Sequence, residues 1–83
     1  MKVKRIDLDD DETPENVTVE LTHDEAVFPA VFLGRLNGEQ EEEILKGGSE
    51  LCSAVYYGLA GGVFNRFYEN GVEEAAQAAS ARK

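Results

Sequence analysis

Basic side chains are scarce. Only 8 Lys and Arg stand against 17 Asp and Glu, for a net charge of −9, and between Asp7 and Glu50 the only bases are Arg35 and Lys46. Non-specific nucleic-acid binding rests on cations that neutralise phosphates. Direct contact with DNA or RNA is therefore excluded as an expectation. Cysteine is nearly absent as well: Cys52 stands alone, so neither an intramolecular disulfide nor a cysteine-rich zinc site is open to the chain. A reducing cytoplasm is the expected setting. Long apolar runs are missing. Met1 to Asp10 mixes bases and acids with no apolar h-region, which argues against a signal peptide. The longest uncharged stretch, LCSAVYYGLAGGVFN at 51–65, is shorter than the roughly 20 residues of a membrane span.

What remains is enough for one domain, 1–83, with a small core. Val17, Val19 and Leu21 alternate with Thr18 and Glu20, and Val3, Ile6 and Leu8 sit among charges. Both segments read as strands. DDDETPEN between them has turn chemistry without a two-residue hairpin signal, so a hairpin over 2–21 with a loose acidic loop is predicted. Thr22-x-x-Glu25 matches a capping box. A first helix follows over 22–37, ended by Asn37-Gly38 and either kinked at Pro29 or starting late. A short helical turn over 41–46 is expected to bring Ile44 and Leu45 to the core. Ser49 then caps the main helix, 49–69, closed by Asn70-Gly71, and 72–83 is a helical or frayed tail. The fold class is α+β: an N-terminal two-stranded antiparallel hairpin, then two main helices with a short turn between.

On a wheel at 100° per residue, Leu51, Cys52, Val55, Tyr56, Leu59, Val63 and Phe67 form one apolar stripe, the predicted core face. The other side is not charged. Ala54, Gly58, Gly61 and Asn65 line it, flanked by Ser53, Tyr57, Ala60 and Phe64, and Ala54, Gly58 and Gly62 recur every four residues, as where helices approach closely. Glycines inside a helix cost about 1 kcal/mol each against alanine, so a covering partner is expected. The first helix of the same chain could fill the groove, or the glycines could serve a flexible hinge around Gly61-Gly62. Because that helix also lacks a polar face, with Ala26, Val27, Phe28, Val31, Phe32, Leu33 and Leu36 around its circumference, a homo-oligomer is favoured. Its interface would hold Ala54, Tyr57, Gly58, Gly61, Gly62 and Phe64.

Chemistry-bearing residues are few. His23, with Asp24 and Glu25 beside it, reads as solvated in a first turn. Asp9 to Glu12 lack the alternate spacing and glycine of a calcium loop, so no metal is expected. Cys52 reads as a buried structural thiol, and Gly47-Gly48-Ser49 as a loop and cap rather than an anion cradle. NRFYENG is the best ligand-site candidate, with Arg66 for a phosphate or carboxylate and Tyr68 for stacking, joined by Asn65, Tyr57 and Arg35. Arg66 could equally serve the helix C-terminus or pair with Glu69 or Glu50. No nucleophile, base and oxyanion site can be assembled, and neither an enzyme nor a cofactor is expected.

VTVELTHDEA, the LGRLNG helix end and GGSELCSAVYYGLAGGVFNRFYENGV together resemble the small accessory proteins of actinobacterial phages. The resemblance implies a host bacterial cytoplasm and action on host physiology or host defence. The expected function is a non-enzymatic, self-associating protein that binds and blocks a host component. The alternatives are an oligomeric sponge for a nucleotide signal near Arg66 and Tyr68, or a DNA mimic using the acidic 7–50 region.

Overall fold

The computed structural model describes residues 1–82. Strands β1 (Lys2–Leu8) and β2 (Pro14–Glu20) form an antiparallel hairpin, followed by α1 (His23–Gly34), α2 (Gly38–Ile44), α3 (Gly48–Leu59), a π-helical turn (Ala60–Phe64), α4 (Asn65–Phe67) and α5 (Gly71–Ala81). The fold is α+β, with the hairpin first and helices after it. No helix of the described residues is long and apolar enough to cross a membrane.

Local sequence sets most of the element starts. Thr22 and Glu25 form the capping box, Glu25 N–H donating to Thr22 Oγ1 at 3.2 Å and Thr22 N–H to Glu25 Oε1 at 3.0 Å. Helix α1 runs through Pro29 without a break and stops at Gly34, three residues before the predicted end at 37. Asn37 does not close α1; it opens α2, where its side chain accepts from Gln40 N–H at 2.8 Å and Gln40 returns the bond to Asn37 N–H. An Asn followed three residues later by Gln is itself a capping box. Ser49 is likewise not the cap of α3. That place belongs to Gly47, in the left-handed region at φ 83°, and Gly48 lies so close to the Glu41 carbonyl that a Cβ would overlap it.

The core is small and made of alanines around one large side chain. Ala26, Val27 and Ala30 of α1, Phe64 and Ala75 of α5 form its buried centre, with Leu21, Leu59, Tyr68 and Val72 packed around them. Phe64 is the one large side chain among the described residues that is fully buried. The helical wheel places it on the opposite side, and the π turn explains the difference. Residues 52, 56, 60 and 64 face inward, yet in a straight α-helix each four-residue step advances about 40°, which would carry Phe64 off the core. In the structure Asn65 N–H bonds to Ala60 O, an i to i+5 bond. Such a turn holds an extra residue and sets the phase back. Gly61 and Gly62, weak α-helix formers, sit inside it. The same shift turns Val63 and Phe67 outward, Phe67 to 74% exposure, and Leu51 and Val55 are exposed too. The predicted core stripe is thus corrected: Cys52, Tyr56 and Leu59 belong to it, and Leu51, Val55, Val63 and Phe67 do not.

The tail is more ordered than its composition suggests. Alanines at 75, 76 and 79 let α5 lie close against α1 over three turns, and Arg82 of the C-cap reaches Asp24 at 2.7 Å. Ile44 and Leu45, predicted to touch the core, are exposed.

In the hairpin, Val3 pairs with Val19 and Ile6 with Val17, with a register shift between Val3 and Arg5. The bulge at Lys4 brings Val3 into phase with Ile6. All five apolar residues, Val3, Ile6, Leu8, Val17 and Val19, therefore share one face. No helix packs along that face among the described residues, and the five are exposed. The hairpin is an arm.

Phe64→Ala is expected to lose about 3–5 kcal/mol, a large part of the roughly 4–12 kcal/mol available to a chain this size, whereas Phe67→Ala should change stability by about 0.5 kcal/mol or less. Urea denaturation of the two variants checks the π-turn phase, since the uninterrupted wheel reverses their order. Gly48→Ala is expected to lower the melting temperature. Gly58→Ala, where nothing lies within 4 Å of an added methyl, should stabilise the chain by up to about 1 kcal/mol.

Candidate functional site

The most organised polar cluster is built on His23, at the first turn of α1. Its Nδ1 lies 2.7 Å from Asp24 Oδ1 and its Nε2 lies 2.6 Å from the Tyr68 hydroxyl. The ring stands edge-on to Phe64, centroids 5.8 Å apart. In the neutral imidazole with its proton on Nδ1, His23 donates to Asp24 and accepts from Tyr68. The solvated reading of His23 is thus corrected: the π turn that buries Phe64 also delivers Tyr68 to this ring. The connectivity is that of an acid–base relay. Neither of the two surface grooves described below is lined by His23 or Tyr68, so the cluster ties the start of α1 to the end of α4 and, through Arg82, to α5.

The five residues of the sequence-based ligand site do not share a pocket. The Tyr68 hydroxyl is committed to His23. Tyr57 stands 69% exposed on the outer side of α3, edge-on to Tyr56 at 5.4 Å. Asn65 abuts Gly71, whose φ of 61° brings its backbone against the Asn65 side-chain oxygen. Arg66 lies over the Phe67 ring at 5.8 Å and makes no ion pair among the described residues, neither to Glu69 nor to Glu50. Arg35 lines a separate open groove of about 450 Å³ between α1 and α5, with Asp24, Glu25, Phe28 and Ala76.

A second groove of about 200 Å³ runs between α2 and α3. Leu33, Leu36, Ile44, Leu45, Leu51 and Val55 line it, with Glu41 at its edge. Cys52 closes its floor, its thiol 3.6 Å from Leu33 O. The Glu41 carboxylate beside it, together with burial, pushes the thiol above its ordinary value. A thiol held protonated in this way is a poor nucleophile. Sequence reasoning missed the groove because it read Leu51 and Val55 as core. Their spacing from Ile44 and Leu45 across the Gly47-Gly48 turn carried the only signal.

The Gly47-Gly48-Ser49 turn does hold an anion, supplied by the chain itself. Glu42 accepts from Gly47 N–H at 3.1 Å and from Ser49 N–H at 2.8 Å. These two backbone donors, Ser49 first, draw its carboxyl below the ordinary carboxylate range. Free N–H groups at a helix start favour negative charge there. Asp9 plays a similar part in the arm's loop, its carboxylate taking the Thr13 N–H and hydroxyl and the Asp11 N–H, which lowers its pKa.

The small-residue side of α3 is left open. Gly58, Gly61 and Gly62 have no neighbour within 4 Å of where a Cβ would stand, so α1 does not fill the groove as the intramolecular expectation had it. Ala54 and Tyr57 are exposed there. Phe64, assigned to the same face, is instead in the core. No group of His, Cys, Asp and Glu suited to a metal ion occurs among the described residues.

No protein-family model, curated protein or solved structure matches the chain.

Because Glu42 is ionised when it caps α3 and its folded pKa is depressed, its contribution is present above the ordinary value of 4.5 and is lost as pH falls through the lower folded value. Glu42→Gln is expected to melt at a lower temperature than the parent at pH 7. The gap should narrow as pH falls below about 4.5, which thermal melts across pH 3–7 would read.

Proposed function

We propose that the chain is a non-enzymatic binding protein that works as an assembly of its own copies and acts by occupying a host protein in the bacterial cytoplasm. The observation that carries the reading is surface area. A folded monomer of 9.1 kDa exposes about 4,900 Å² by the usual scaling with mass, but this chain exposes 6417 Å². The excess, about 1,500 Å², compares with the roughly 800 Å² that each partner buries in a standard interface.

Shape points the same way. The radius of gyration is 14.5 Å, against about 12 Å for a compact chain of this length. Exposed apolar side chains gather in three places: the arm's apolar face, the groove between α2 and α3, and the Phe28–Phe32 pair, stacked at 6.3 Å on the outside of α1. A 9 kDa chain with only one large side chain fully buried among the described residues has little stability in reserve. Covering one such face by a second copy would add what the core lacks. The nucleotide-sponge alternative rests on Arg66 alone, because Tyr68 is engaged within the fold.

Sedimentation equilibrium at micromolar concentration is expected to return a multiple of 9.1 kDa. A well-folded particle of monomer mass would overturn the reading.

A further inference from the structure

We propose that the groove between α2 and α3 is a binding site for a small apolar monoamine, its ammonium on the Glu41 carboxylate and its hydrocarbon end among the leucines. This goes beyond self-association and does not depend on it. The groove holds about 200 Å³. A cavity of about 150 Å³ with aliphatic and aromatic walls takes up benzene, so this one has room for a single ring with a short arm, or for a chain of about six carbons. The walls are aliphatic, from Leu33, Leu36, Ile44, Leu45, Leu51 and Val55, and Cys52 is the floor. Glu41 is the one carboxylate in the lining.

Glu41 differs from the acids around it. Glu39 and Glu43 stand in water, and Glu42 is taken up by the Gly47 and Ser49 N–H groups. Glu41 is half-buried, and its carboxylate turns toward the floor of the groove, where it bears on the Cys52 thiol and raises its pKa. The close approach of Gly48 to the Glu41 carbonyl holds this residue's backbone against the start of α3. A thiol is a weak donor, and this one also lies 3.6 Å from Leu33 O. No Lys or Arg pairs with Glu41 among the described residues. Drawing a carboxylate out of water among aliphatic side chains costs free energy that an opposite charge returns. A primary ammonium brings that charge with three N–H donors, and the aliphatic walls select a hydrocarbon behind it. A second charge at the far end would have to leave water among leucines, which excludes diamines and free amino acids. Size excludes a folded peptide segment: α2, one wall of the groove, has 7 residues and is about 10 Å long.

The test titrates hexylamine into the full chain at pH 7 and follows the backbone amides by NMR, with hexanol and hexanoate as probes of the same length. Hexylamine is expected to shift the amides of 33–36, 41–45 and 48–55 saturably, and to bind about tenfold tighter than hexanol and tighter still against hexanoate. Glu41→Gln keeps the shape without the charge. It should bring hexylamine down to the affinity of hexanol, with hexanol binding and the circular dichroism unchanged. Leu51→Lys, at a side chain that is 54% exposed, offers Glu41 an ammonium from the chain itself and should abolish hexylamine binding while the helices remain. Equal binding of hexylamine and hexanol would overturn the assignment. So would a Glu41→Gln chain that binds hexylamine as the parent does, shifts confined to another surface, or no saturable shift at millimolar hexylamine. Sedimentation of Leu51→Lys tests the other occupant: a mass below the parent's would place a second copy in the groove, overturning the amine site and leaving self-association standing. A monomeric parent that binds hexylamine through Glu41 would overturn self-association and leave the amine site standing.

Discussion

The burial of Phe64 is the constraint on which the rest of the structure depends. It is the one large side chain fully removed from water among the described residues, and alanines from α1 and α5 close around it. Its position requires the helix to leave α geometry for one turn. Once the phase is set back, Tyr68 arrives beside His23, Asn65 meets Gly71, and the chain turns sharply enough for α5 to return along α1. One irregular turn thus places three elements.

Polar groups are handled locally. Each of the two capping boxes closes on its own segment, Glu42 serves the bare start of α3, and Asp9 organises the arm's loop. No buried side-chain nitrogen or oxygen among the described residues is left without a partner. Part of the acidity of this chain is therefore structural: Glu42 and Asp9 neutralise backbone N–H groups that a neutral side chain would serve less well. The remaining acids stand in water and give the molecule its long-range field.

Apolar groups are handled less completely. The core accepts small residues and one phenylalanine, and the larger aliphatic and aromatic side chains are left on the arm, in the α2–α3 groove and outside α1. The relay at His23 has the connectivity of a catalytic group; Asp24 lines the groove between α1 and α5, while His23 and Tyr68 line neither groove.

What the sequence by itself determined was whatever depends on neighbours in the chain. The strand alternation at 17–21, the box at Thr22 and Glu25, the helical character of 49–67 and the α+β class follow from side chains acting on backbone within a few residues. The candidate site was less legible. Asn65, Arg66 and Tyr68 are neighbours in sequence, to which Tyr57 and Arg35 are added for their chemistry; the fold engages the Tyr68 hydroxyl with His23, leaves Tyr57 exposed on α3 and puts Arg35 in a separate groove. Tertiary structure alone decided which face of the long helix is the inside, because a wheel assumes 100° per residue and the turn at Gly61-Gly62 breaks that assumption just before the decisive residue. It also decided that Glu42 rather than Ser49 serves the helix start, and that the half-buried His23 is bonded to Tyr68. Each of these outcomes depends on groups far apart in the chain, or on a change of helical phase, being brought into register by packing. No local pattern records that.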